Sequence, residues 1–509
     1  MSMVRNPILP GCYPDPSICR VGEDYYLVTS TFEYFPGLPV FHSTDLAHWE
    51  PLGHVIDRAG QLDYSGIASS GGLYAPTIRH HDGRFWVICT LVDPADPNRG
   101  GDFLVTATDP AGPWSDPVWL DAGGIDPSIL FDHDGRAWLH GTRLAAEPLW
   151  HDQTEVWVRE LDLDTMTLVG PETVIWHGAL LGVVWAEAPH LYRVDDTYYL
   201  LAAEGGTEFH HSVCVARSAS VTGPYESNRS NPVLTHRHLG HDVDVVGVGH
   251  ADLVQAADAS WWAVLLAMRT YGGYHYPLGR ETFLVPVTWE DGWPVFAPGA
   301  GRVPEQVEVP FATDPGSVTK PSGGLVTPTD PRWTSLRGPA TAFATPAGDG
   351  WRLRLTPESL LDAGTPAFLG VRQQHRDVDL RVVLDANLRP GEEAGLVIRQ
   401  SEQDQVRLAV LSAPDGVRVV RAIHRRAGTD STIGEVAIAG TTVELGLQVR
   451  GPDYGLSVDS TPIAVADGRT LDSVSTGGFL GLWLGVYGTT NGGPVGTEVA
   501  VESFEYCPA

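Results

Sequence analysis

The chain is short of the residues that staple small folds and hold metals. Its 509 residues include five cysteines, Cys12, Cys19, Cys89, Cys214 and Cys507. The number is odd and no Cys-x-x-Cys pair occurs, which argues against a disulfide framework and against a zinc site. Positive charge is scarce too: 33 Lys and Arg stand against 63 Asp and Glu, a formal net charge of -30. Such a surface repels phosphate, so the expected partners include neither nucleic acid nor an anionic membrane. A neutral sugar is compatible with it, although plain solubility is the simpler account of the charge. The opening residues, Met1 to Pro7, carry no apolar segment of signal-peptide type, and no apolar run approaches membrane-spanning length. The expected location is therefore cytoplasmic.

What is present is a folded composition, 43% hydrophobic and 19% charged, in a chain long enough for two domains. The first three-fifths contains a degenerate repeat: an acidic turn followed by aromatic, β-rich residues. Glu23-Asp24 precedes Tyr25-Tyr26-Leu27-Val28, and Asp82-Gly83-Arg84 precedes Phe85-Trp86-Val87-Ile88. The pattern returns before Trp138, Tyr198-Tyr199 and Trp261-Trp262. The turns fall at 24, 82, 134, 196 and 258, spaced by 58, 52, 62 and 62 residues. Turn residues flanked by apolar runs signal hairpins. Five four-stranded units in order predict an all-β fold, a five-bladed β-propeller over residues 1–310. A β-sandwich with coincidental spacing is the weaker alternative. The Pro/Gly/Thr-rich residues 311–331 read as a linker. Residues 332–509, with alternating runs such as Val378 to Leu384 and a Pro414-Asp-Gly turn, read as an accessory β-sandwich.

The residues just before each hairpin align. They are Tyr13-Pro14-Asp15-Pro16-Ser17, Leu73-Tyr74-Ala75-Pro76-Thr77, Gly124-Ile125-Asp126-Pro127-Ser128, Ala186-Glu187-Ala188-Pro189-His190 and Gly249-His250-Ala251-Asp252. Proline suits the start of an edge strand, and the first strand of a blade lines the central axis. In this register Asp15 and Asp126 precede the proline. Tyr74 and Glu187 stand one place earlier, and His250 is aligned with them. Two Asp, one Glu, one Tyr and one His should therefore converge at one end of the channel. Crowded carboxylates raise one another's pKa and keep one acid protonated near neutral pH. A single Asp-Pro-Ser would be read as a strand cap; two copies plus Glu187 point to chemistry.

At these residues the chain resembles glycoside hydrolase family 43. The resemblance rests on Asn6-Pro7-Ile8-Leu9-Pro10-Gly11, Pro14-Asp15-Pro16-Ser17, Thr31 to Gly37, Asp126-Pro127-Ser128, Glu187-Ala188-Pro189-His190-Leu191, Gly249-His250-Ala251-Asp252 and Leu278 to Thr282. It continues through Phe368 to His375, similar to that family's accessory β-sandwich. It implies an exo-acting β-xylosidase or α-L-arabinofuranosidase that inverts configuration on xylo- or arabino-oligosaccharides. By matching position Asp15 is the general base, Asp126 orients and tunes the acid, and Glu187 is the general acid. Inversion implies an Asp15–Glu187 separation of about 6.5–9.5 Å. Phe32, Tyr74, His250 and Arg280 are the implied substrate-binding residues. Arg280 has a second reading as an ion-pair partner of Glu281.

Two departures stand out: Tyr74 where the family often has Trp, and Ala186 and Ala188 where many relatives have Gly. In similar proteins an aromatic side chain of the second domain reaches over the pocket, and Trp483 and Tyr487 are the expected ones here. No cofactor is required, although a structural calcium ion near His250 is one expectation; a homo-oligomer is compatible with all of this. Two other classes stay open: a non-catalytic carbohydrate-binding propeller, and a three-carboxylate propeller that retains configuration and acts on fructosides.

Overall fold

Each acidic turn becomes a tight hairpin in the computed structural model, which describes residues 2–311, 324–413 and 416–509. The hairpins join Ser17–Val21 to Asp24–Val28, Thr77–His81 to Arg84–Val92, Ile125–Phe131 to Ala137–Leu144, Glu187–Val194 to Thr197–Glu204, and Val245–Gln255 to Trp261–Arg269. In the second turn Asp82 and Gly83 both take positive φ, 48° and 70°. That twist matches the twist of the paired strands. Two further strands complete each unit, giving five antiparallel sheets in chain order. Their first strands touch one another in cyclic order, the last against the first, so the sheets surround an axis as a β-propeller.

The N-terminus fastens this ring. Ser2–Arg5 pairs with Gln306–Val309, and Leu9 bridges to Thr282 on the last sheet. The Asn6 amide donates to the carbonyls of Leu284 and Pro304, and its oxygen accepts from the Leu284 N–H, each at 2.9 Å. The axis is not an open channel. Asp252, fully buried, accepts from Ser17 Oγ at 2.7 Å and from Arg79 at 2.8 and 3.1 Å, and also from the Tyr192 hydroxyl. This network plugs the axis and leaves the starts of the inner strands as the floor of a pocket.

The second domain is a sandwich of an eight-stranded and a six-stranded sheet. Asp377–Asp385 alternates buried and open side chains, as a one-sided strand should. In the six-stranded sheet Ala367–Arg372, Glu393–Arg399, Gln405–Ser412 and Trp483–Thr489 are buried almost throughout, because both faces of these strands are covered. Leu369, Leu396, Ile398, Leu484 and Val486 enter the sandwich core. Phe368, Val397, Trp483 and Tyr487 face the other way and pack with Cys12, Phe32 and Tyr34 of the propeller. Residues 312–323, the middle of the predicted linker, lie outside the described residues, as do the Pro414 and Asp415 of the predicted turn between the paired strands Gln405–Ser412 and Arg418–Arg426. Gly324–Leu325 already pairs with Glu498–Pro508, and Val326 is buried in the sandwich core.

Candidate active site

The inner strands begin with a shared backbone irregularity. Register shifts fall between Ile125 and Ser128, between Glu187 and His190, and between Gly249 and Asp252. Asp15, Asp126, Ala188 and His250 all take left-handed φ, between 50° and 55°. Such bulges re-aim side chains at strand ends, and left-handed backbone costs a non-glycine residue about 1–3 kcal/mol. Four copies around one axis point every bulge at the same pocket. They also correct the sequence register. His250 falls in the place of Asp15, Asp126 and Ala188, one residue later than the Tyr74 and Glu187 place predicted for it. Unit five has no proline to mark the bulge, so the sequence alignment slipped by one.

Asp15 is buried, with Oδ1 accepting from Arg280 Nη1 at 2.8 Å and Oδ2 from the Ser30 hydroxyl. His250 Nδ1 lies 3.7 Å from the same Oδ1. Asp126 accepts the Ala188 N–H at 3.0 Å, so it holds the backbone next to Glu187. Its carboxyl is pushed up to about 7, by burial first and then by Asp15. Glu187 keeps part of its surface open to the pocket. Its carboxyl is raised well above the usual range by desolvation, then by Asp126 and Asp15, with Arg280 opposing. Three carboxylates thus share one guanidinium. The His250 imidazole is driven toward its neutral form by burial, against the pull of Asp15.

The walls are aromatic. The Phe32 ring packs edge-on to Tyr74 at 5.6 Å, and the Arg280 guanidinium lies 5.4 Å from its centroid. Burial pushes the Tyr74 hydroxyl up to about 12. Arg280 does not pair with Glu281, which instead takes two bonds from Arg269 at 2.7 Å and one from the Gly11 N–H. Its other contacts are the Thr207 hydroxyl at 3.2 Å and the Phe479 carbonyl at 3.5 Å.

Phe479 is the second domain's contribution to the pocket, in place of the two residues predicted. Its ring stacks on Phe32 at 5.9 Å, meets Tyr74 at 5.8 Å and covers Arg280 at 5.3 Å. Trp483 instead stacks on Tyr34 at 3.8 Å, and Tyr487 is buried with its hydroxyl on Glu393. Both sit on the covered face of the six-stranded sheet. The signal for Phe479 was its setting, Gly477-Gly478-Phe479-Leu480-Gly481. A Cβ on Gly481 would stand 2.4 Å from the Leu278 carbonyl, so only glycine lets the loop approach the propeller. Ser30, Thr207 and Asp102 were also missed. Asp102 is a fourth buried acid, raised to about 7 by desolvation, and it adds to the rise of Asp126. Among the described residues no group of three or more His, Cys, Asp or Glu side chains is placed to hold a metal ion.

An acid pushed toward its protonated form by desolvation and like charge, a second carboxylate paired with arginine and a third that braces the first, in an aromatic-walled pocket on a propeller, are the equipment of a glycoside hydrolase. Comparison with known proteins gives the particular family. The family model described as Glycosyl hydrolases family 43 matches residues 4–294, and that described as Beta xylosidase C-terminal Concanavalin A-like domain matches residues 327–507. The chain belongs to glycosyl hydrolase family 43. It is 41% identical over 511 residues to a xylosidase/arabinosidase of Butyrivibrio fibrisolvens, covering 97% of each chain. It is 38% identical to a non-reducing end alpha-L-arabinofuranosidase of Bacteroides ovatus, covering 96% of this chain and 92% of that one. Among solved structures, one described as Bacteroides ovatus Xyloglucan PUL GH43B superposes with a TM-score of 0.90 at 36% identity and full coverage of both chains. A xylan beta-1,4-xylosidase from Bacillus halodurans gives 0.88 at 32% identity, covering 99% of this chain and 100% of that one.

Proposed function

We propose that this enzyme is an exo-acting, inverting glycosidase that releases xylose from the non-reducing end of β-1,4-xylo-oligosaccharides. The observation that carries the chemistry is the unequal treatment of Asp15 and Glu187. Asp15 holds the arginine, while Glu187 is pushed toward its protonated form by desolvation and by the other two acids. Asp15 accepts a proton from water as the water oxygen attacks the anomeric carbon. Glu187 gives its proton to the glycosidic oxygen as that bond breaks. Asp126 fixes the Ala188 backbone and keeps Glu187 high. Attack and departure on opposite faces invert the anomeric centre. The exo reading is supported by Phe479, which closes one side of the pocket and makes it suit a chain end. No step of this mechanism uses a cofactor.

Release of α-L-arabinofuranose is the second reading. The arabinofuranosidase relative favours it, as does Tyr74, a narrower wall than the family's frequent Trp. Rates on aryl β-D-xyloside and aryl α-L-arabinofuranoside decide between the two, and activity on neither sinks both. Proton NMR of the first-released sugar tests inversion; the retained anomer would overturn it and favour the fructoside-type mechanism.

A further inference from the structure

At the Glu187 bulge the sheet ladder is interrupted. Glu187 pairs with Ala203 and pairing resumes only at His190 with Leu201. The backbone on either side of Glu187 is held by the preceding blade. The Ala186 carbonyl accepts two hydroxyl groups, Thr142 Oγ1 at 2.6 Å and Thr154 Oγ1 at 2.8 Å. On the other side of Glu187, the Ala188 N–H is held by Asp126 at 3.0 Å. Thr142 and Thr154 are buried, on the adjacent strands Ala137–Leu144 and Thr154–Asp162 of one sheet. One hydroxyl would satisfy a buried carbonyl. Two arriving from different strands occupy both of its lone pairs and fix the plane of the peptide that leads into Glu187. Asp126 stands on the same sheet, so one rigid blade holds the backbone of the acid from both ends.

We infer that Thr142 and Thr154 are positioning residues for the general acid, setting the angle from which Glu187 delivers its proton to the leaving group. The inference rests on the assignment of Glu187 as the acid. It predicts a dependence on the leaving group. A dinitrophenolate departs without a proton, whereas a sugar or alkyl alcohol needs one. Thr142→Val with Thr154→Val keeps side-chain shape and β preference while removing both hydroxyls.

On the preferred glycone, this double variant should lose about tenfold or more in kcat with a disaccharide or alkyl glycoside and stay within about twofold with the 2,4-dinitrophenyl glycoside. The Thr→Ser pair, which keeps the hydroxyls, should restore the disaccharide rate. Should the double variant fold poorly, Thr154→Val alone is read as the same ratio of rates. Equal loss on both substrates would show a general structural role and overturn the inference, as would no loss on either. Glu187→Ala, run alongside, separates the two levels of the argument. If it shows a strong leaving-group dependence and the threonine variants show none, only the positioning role fails. If Glu187→Ala shows none, the acid assignment fails and the inference falls with it.

Discussion

Asp15, Asp126 and Glu187 share one arginine, Arg280, whereas Glu33 and Glu402, where the second domain meets the propeller, have two, Arg337 and Arg399. Both clusters are largely withdrawn from water, yet their acids behave differently. Burial pushes Glu402 up, but Arg399 and Arg337 overcome it and hold the group at about 2. Glu33 is raised by burial against the pull of Arg399. At the pocket the single guanidinium is spent mainly on Asp15, and Asp126 and Glu187 both rise. Two arginines hold Glu402 down against burial but leave Glu33 raised, so what separates these acids is how closely each is paired as well as how deeply it is buried. The junction cluster is also part of the pocket's support. Glu33 follows Phe32 in the chain, and Arg399 donates to Glu33, Tyr34 and Ser69.

The largest effect should come from the pocket. Asp15→Asn and Glu187→Ala should each lower kcat by about 10²–10⁴-fold while leaving sugar binding by calorimetry nearly intact. Normal turnover by both variants would break the comparison outright and return the molecule to a binding propeller.

Removing one partner at the junction should cost stability rather than chemistry. Arg399→Ala leaves two acids buried with one arginine and should lower unfolding free energy by about 3–5 kcal/mol, read from denaturant melts. Activity per folded molecule should survive at temperatures well below the transition.

Asp126 and Glu402 should answer pH with opposite signs. A raised carboxyl is protonated in the folded state, so the stability it contributes is full at low pH and is lost as pH rises through about 7. Glu402, held at about 2, contributes stability above the ordinary glutamate range and loses it as pH falls toward 2. Asp126→Asn, which can still accept the Ala188 N–H, should therefore raise Tm by about 2–4 °C at pH 8, by less at pH 5 and by nothing near pH 4. An equal gain at all three values would mean that charge is not the cause.

The smallest effect tests the bridge between the clusters. Phe479→Ala removes the second domain's ring from Phe32, Tyr74 and Arg280. It should cost about tenfold in kcat/KM, mostly through KM, since an aromatic contact of this kind is worth about 0.5–1.5 kcal/mol beyond its buried area. An unchanged KM would separate the second domain from substrate binding.

The acidic residues were legible because of proline. Asp15-Pro16-Ser17, Asp126-Pro127-Ser128 and Glu187-Ala188-Pro189 mark strand starts, and a repeated strand start in a ring must converge. His250 lacked that marker, and its register came out one residue early. Phe479 was hidden for a different reason. It lies far along the chain in another domain, and no local pattern says which loop of a sandwich will touch which rim of a propeller. Trp483 and Tyr487 looked better placed because they are large and lie on a strand beside a glycine-rich loop. Their strand is buried on both faces, a fact its own sequence does not reveal.

Composition and spacing by themselves determined the repeated hairpins, the all-β character of both halves and the repeated strand starts that bring Asp15, Asp126 and Glu187 together, since turn chemistry and strand alternation are local. Tertiary structure alone decided how charge is shared among those acids, which blade holds the acid's backbone and which ring closes the pocket. The physical reason is range. Propensities act over a few residues, whereas counter-ion pairing, desolvation and the covering of a pocket depend on groups that only the folded chain brings together.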